Sequence, residues 1–246
     1  MAEISKTADH ALTLLTAVSE YQPVTAAELC RRLSMNRTVA HRLLVTLRQR
    51  GFVRRIGEEY ALGPAALHIA RRVEPTLRDA ALPVMQRLCA EVGETVVLQV
   101  VDGDQAVILA QVIASRHVVR VEQNLIARHP LLFGASGRVL LAFQPDRVIR
   151  RVLAGGADAR LAAEDLARVR RAGYETSHDE LQWGVHALSA PVFGAGGGLV
   201  AALTVLVPVG RAERISDHTD AVVEAARQIR PGADDGAEPR VYPGHA

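Results

Sequence analysis

The chain has 246 residues, 49% apolar and 23% charged, enough apolar material for one large or two small packed domains and incompatible with overall disorder. Two cysteines, Cys30 and Cys89, exclude a disulfide framework or a Cys-rich zinc site. The net charge of +2 hides an asymmetry: Arg31, Arg32, Arg37, Arg42, Arg48, Arg50, Arg54 and Arg55 form a stretch without any Asp or Glu, which points to a polyanionic partner for that region alone.

No basic, apolar signal segment opens the sequence. The longest uncharged run, residues 181–210, contains two prolines and six glycines, and its densest apolar stretch, 199–209, is only 11 residues long. A membrane span needs roughly 20. The sequence therefore predicts a soluble, cytoplasmic protein with no membrane partner.

Apolar residues at 8, 11, 12, 15 and 18 predict a first helix with one buried stripe. Thr25-Ala-Ala-Glu28 has capping-box spacing and predicts a second, short helix to about Leu33. Asn36 is a favourable N-cap for a third, from Arg37 to about Gln49, closed by Gly51. In that helix Ala40, Leu43, Leu44 and Leu47 share a buried face, and Thr38, His41, Arg42, Val45 and Gln49 lie opposite. Residues 52–56 and 60–62 around Gly57-Glu58-Glu59 predict a hairpin. This is the order of a winged helix-turn-helix, whose third helix reads the major groove.

Gly63-Pro64 starts a connecting helix over 64–80, followed by a helix at 81–92. Past Gly93 the period changes to that of strands, 95–101 and 105–112 around Asp102-Gly103, then 185–193 and 199–207 around a Gly-rich turn. Further helices are expected at 137–143, 145–153, 164–172 and 217–229, and a loose tail at 231–246. The fold class is α+β. The expected domains are a DNA-binding winged helix over 1–63, a linker helix over 64–80, and an effector-binding, oligomerising domain over 81–230.

Several segments together carry a family resemblance. They are Met35 to Leu44, the hairpin ending at Gly63, Gly93 to Leu98, Gly137 to Ala142, Asp179-Glu180 with Gly184, Ser189 to Val192, and Ala201 to Leu203. In this order they resemble IclR-type transcriptional regulators. The resemblance implies a GAF/PAS-like second domain binding a small effector, and a dimer or tetramer on a partly palindromic operator that governs a catabolic operon. It implies DNA contacts from Asn36, Arg37, Thr38, His41 and Arg42, from Arg54 and Arg55 on the wing, and from Thr25 and Arg48. It implies an effector carboxylate on the amides of Ala135 and Ser136, beside Phe133, Ala187, Thr204 and Leu206. Polar side chains are the family pattern at 187 and 206. Ala187 and Leu206 turn the expectation to a mainly apolar or aromatic carboxylate.

Competing readings are weaker on spacing. Gly134-Ala-Ser136-Gly137 lacks the last glycine of a nucleophile elbow, where Arg138 stands. Gly194 to Gly198 precedes no phosphate-loop lysine. His178, Asp179 and His186 have no metal-site spacing, Cys89 lies on an apolar stripe, and Cys30 adjoins two arginines. No cofactor, metal or catalytic residue is expected.

Overall fold

The computed structural model describes residues 4–70, 75–124, 127–154 and 159–231. Residues 71–74 of the expected linker, and the expected tail from residue 232 on, lie outside the described residues. The chain divides into two compact units, residues 1–75 and 76–246.

In the first unit, helices α1 (Lys6–Tyr21), α2 (Ala26–Arg32) and α3 (Arg37–Gln49) precede a hairpin of β2 (Val53–Ile56) and β3 (Glu59–Leu62). A two-residue strand, β1 (Val24–Thr25), joins the hairpin in the order β1-β3-β2. The core gathers Leu14, Val18, Leu29, Ala40, Leu44, Val53 and Tyr60. The buried stripe of α1 is Leu14, Ala17 and Val18, with Leu12 at 65% exposure. The expected stripe shared its 3.6-residue period but was rotated toward the wrong leucine.

Both expected caps form. Thr25 Oγ1 accepts the Glu28 amide (3.2 Å) and Asn36 Oδ1 accepts the Thr38 amide (2.8 Å), each cap contributing about 1 kcal/mol. The capping box is half made, because the Glu28 carboxylate turns to Arg31 and Arg32 instead of the Thr25 amide. At the other end of α3, Gly51 sits at φ +74°, with its amide on Arg48 O and the Phe52 amide on Leu47 O. That paired closure needs a residue free to adopt the left-handed region. The hairpin turn has two residues, since Ile56 pairs with Glu59; Glu59 belongs to the strand and not to the turn.

After α4 (Pro64–Ala70), helix α5 runs over Pro75–Val92, beginning six residues before the expected position. Leu77, 3% exposed, joins the second unit's core, so a boundary at residue 81 would divide the helix and strip that contact. A six-stranded antiparallel sheet follows, in the order β6-β5-β4-β9-β8-β7. Its strands are β4 (Thr95–Asp102), β5 (Gln105–Val112), β6 (Arg128–Pro130), β7 (Glu175–His178), β8 (Val185–Phe193) and β9 (Leu199–Pro208). One face carries α5 and α9 (Thr219–Gln228) over Leu98, Leu188, Leu203 and Val205. The other carries α6 (Gly134–Ala142), α7 (Asp146–Leu153) and α8 (Ala159–Ala172) over Ala106, Leu199 and Ala202. A run of 3₁₀ turns, Val209–His218, leads into α9. Helices on both faces of an antiparallel sheet bury it twice, which explains strands such as β9 that read as continuous apolar runs.

Candidate nucleic-acid interface and ligand seat

Burying Ala40, Leu43 and Leu44 orients α3 so that Arg37, Thr38, His41 and Arg42 all stand exposed along its N-terminal half. Asn36 precedes them with its oxygen committed to the cap, leaving its amide NH₂ outward. Thr25 is half-buried, its hydroxyl spent on α2 and its backbone paired with Glu59. Arg48 is exposed but lies roughly 16 Å along the helix from Arg37, in the last turn, where the helix dipole alone favours a cation. Val45, expected in solvent, is half-buried.

The eight arginines are not all uncompensated. Arg31 and Arg32 pair with Glu28, Arg32 also lies over the Tyr21 ring (4.1 Å to its centroid), and Arg55 binds Glu58 (2.7 Å) and Gly57 O. Both acids, Glu28 and Glu58, lie just outside residues 31–55, one helical turn or one hairpin turn away. Arg37, Arg42, Arg48, Arg50 and Arg54 have no acid partner among the described residues. On the wing, strand alternation puts Arg54 on the opposite face from Arg55.

In the second unit α6 begins at Gly134, three residues earlier than expected. Ala135 and Ser136 are therefore in its first turn and not in the loop before it. Of the amides there, Phe133 donates to Pro130 O (3.1 Å) and Gly134 to Glu180 Oε2 (2.9 Å). Those of Ala135 and Ser136 are the next two, and helix geometry gives them no intrahelical acceptor. Glu180 is also gripped by Arg138 at 2.6 and 2.8 Å. Burial opposes its ionised form, but the Arg138 hydrogen bonds and the Gly134 amide outweigh it and hold the carboxyl below its ordinary value. Arg138 also lies 3.6 Å from the buried carboxylate of Glu175, so its charge is shared between two acids beside the start of α6. Gly134 sits at φ +74°, which favours glycine, and a Cβ there would push aside the Leu181 side chain, whose Cδ1 would lie at 2.6 Å.

Ala135, Ala187 and Leu206 meet in one buried cluster with Val97 and Val121, against Val185. Beside it a polar chain crosses the same sheet face. Ser189 Oγ lies 2.9 Å from Thr204 Oγ1, Thr204 donates to Gln99 Oε1 (3.0 Å), and Gln99 Nε2 is 3.2 Å from His129 Nε2. Thr204 thus turns the Gln99 NH₂ toward His129, whose Nε2 must accept, and His129 Nδ1–H then donates to Pro130 O (3.2 Å). Burial outweighs the ring's bonds to the Pro130 and Phe133 carbonyls and holds the imidazole below its ordinary value, so the neutral ring fits. Ser136 Oγ also approaches His129 Nε2, at 3.2 Å. Phe133 is half-exposed and takes no part in the cluster. The polar trio Gln99, His129 and Ser189 was missed; a glutamine inside the apolar run of β4 was the available signal.

A serine beside a histidine is also the arrangement of a nucleophile and its base. Here Gln99 fills the lone pair such a base needs, and the second ring nitrogen meets a carbonyl instead of an orienting carboxylate. His178 and His186 do come together, Nδ1 to Nδ1 at 2.6 Å, with Asp179 3.7 Å from His186. Among the described residues no group of three or more His, Cys, Asp or Glu side chains is arranged to hold a metal ion. Cys89 is core, its thiol pushed up by burial and by Glu94, and Cys30 packs against the first unit's core. No helix of the described residues is long and apolar enough to cross a membrane.

Two family profiles match in succession: the IclR helix-turn-helix domain over residues 7–57 and the bacterial transcriptional regulator IclR C-terminal domain over residues 73–230. The HTH-type transcriptional regulator BhcR of Paracoccus denitrificans is 30% identical, the match covering 90% of this chain and 85% of that protein. The transcriptional repressor IclR of Escherichia coli is 27% identical, over 89% and 86% of the two chains. A solved IclR homologue from Microbacterium hydrocarbonoxydans, in complex with 4-hydroxybenzoate, shares the fold at a TM-score of 0.72 and 24% identity, covering 91% of this chain and 97% of that one. The two profiles fall one on each unit and together span most of the sequence, and the chain belongs to the IclR family of DNA-binding bacterial transcriptional regulators.

Proposed function

We propose that this regulator governs a catabolic operon, binds a partly palindromic operator as a dimer or tetramer, and changes operator affinity when its second unit binds a mainly apolar or aromatic carboxylate. The observation that carries the DNA reading is the exposed row Arg37, Thr38, His41 and Arg42 on α3, in which neither arginine has an acid partner among the described residues. Asn36 borders that row, and Arg54 and Arg55 of the wing, with Thr25 and Arg48, are its proposed periphery. The effector reading rests on the Ala135 and Ser136 amides beside the apolar side chains of Val97, Val121, Ala187 and Leu206, with Thr204 on the same sheet face and Phe133 exposed just before α6. An aromatic acid there pairs its carboxylate with a helix N-terminus and buries its ring at roughly 25 cal/mol per Å². The 4-hydroxybenzoate complex of the fold relative makes that compound a sensible first probe.

The test is operator binding by fluorescence anisotropy, using DNA from upstream of the neighbouring operon. Arg42→Ala should cost about 1–3 kcal/mol of specific binding. Benzoate and 4-hydroxybenzoate should shift the wild-type isotherm, and glyoxylate should not. Unchanged affinity in a folded Arg42→Ala variant, or a response to glyoxylate alone, would overturn the corresponding half.

A further inference from the structure

Resting on the reading that α3 enters the major groove, we infer that Val39 is a specificity-determining residue that reads the C5-methyl group of a thymine. Val39 is 38% exposed and is the one large apolar side chain that the described part of α3 leaves exposed. It belongs to the helix's N-terminal turn, with Thr38 beside it and Arg42 one turn on, and it takes no part in the first unit's core. The fold does not call for it there. A β-branched residue is a poorer helix former than alanine, and this one, more than a third exposed, adds nothing to the first unit's core cluster.

What such a group can meet follows from its surroundings. Arg42, exposed one turn on, has no acid partner among the described residues, and neither has Arg37 on the helix's other flank, so the surface that α3 presents is cationic and suits a polyanion better than another protein's apolar patch. A duplex shows its major groove as hydrogen-bond donors and acceptors, with a single apolar group among them, the thymine methyl. A valine carried into that groove beside Arg42 therefore has one favourable contact available, while opposite any other base edge it would cover a polar atom without a partner. Arg37 and Arg42 supply charge and bidentate donors; Val39 supplies discrimination by apolar contact.

The experiment separates this contact from every hydrogen bond. An operator is selected from random duplexes with the full-length chain, and each thymine is then replaced singly by deoxyuridine, which removes the methyl group and leaves the base's hydrogen-bonding edge intact. At one thymine of each half-site, deoxyuridine should weaken wild-type binding about 3- to 10-fold. Val39→Ala should bind the thymine operator with a loss of similar size, and the thymine-to-uracil penalty should vanish in it. Val39→Thr, nearly isosteric and on the exposed face, keeps the helix and should also reduce the penalty. If no thymine is sensitive, or the sensitivity persists in Val39→Ala, the inference is overturned. If selection enriches no sequence, or Arg42→Ala leaves affinity unchanged, the underlying placement of α3 fails instead.

Discussion

Replacing Thr204 by valine tests the direction in which the buried polar chain runs. The shapes nearly match, so little cavity is created; what disappears is one hydroxyl, fully buried, that accepts from Ser189 and donates to Gln99. A buried polar group left without its partner costs about 1–3 kcal/mol. The Ser189 hydroxyl can rotate in search of another acceptor, but Gln99 Oε1, held in the sheet, loses its donor. Together the two should cost about 2–4 kcal/mol, a fall of roughly 5–15 °C in melting temperature for a unit of this size. Ser136→Ala should behave differently. Its hydroxyl competes with the Gln99 amide for one lone pair on His129 Nε2, so deleting it leaves that nitrogen satisfied and should cost below about 1 kcal/mol. Urea unfolding of the full chain, followed by far-UV circular dichroism, measures both. A Ser136→Ala loss equal to or larger than that of Thr204→Val would show that Ser136 holds the lone pair and that the tautomer and amide orientation argued above are wrong.

Arg54→Gln should lower the slope of log K against log salt for DNA binding by about 0.9, the equivalent of one phosphate contact, whereas Arg55→Gln should change it less because Glu58 already pairs with that guanidinium; equal changes would count against the distinction. Asn36→Ala should reduce the first unit's stability by about 1 kcal/mol through loss of the Thr38 cap, measured by thermal unfolding, and an unchanged midpoint would mean that the cap carries no weight. Glu180 has its folded carboxyl held below the ordinary value of 4.5, so its contribution to stability is complete above that pH and is lost as the pH falls through the lower folded value. Glu180→Gln should accordingly flatten the acid limb of the stability profile, and a limb of unaltered steepness would refute the Arg138 clamp.

The elements that were legible in the sequence are those whose signal is local. Asn36 and Thr25 announce helix starts because a side-chain oxygen must meet an orphan amide two or three residues on, and Gly51 announces an end because few other residues adopt its backbone angle. The exposed face of α3 followed from the 3.6-residue period of Ala40, Leu43 and Leu44 on its buried side. Illegible features have partners far along the chain. The edge strands β6 and β7 are three and four residues long and exist through pairing with β5 and β8. The start of α6 was misplaced because its cap is the Glu180 carboxylate, 46 residues away, and no residue near Gly134 advertises it. The same reason applies to the proposed ligand seat. Ala135, Ala187 and Leu206 could be aligned by resemblance, but Gln99, His129 and Ser189 enter only once β4, β8 and β9 are in register, with Thr204 opposite both Val97 and Ser189. That register makes Thr204 a junction inside the sheet's own hydrogen-bond chain. Its hydroxyl is already engaged with Ser189 and Gln99, so any contact that Thr204 makes to an effector comes at the expense of one of those two bonds.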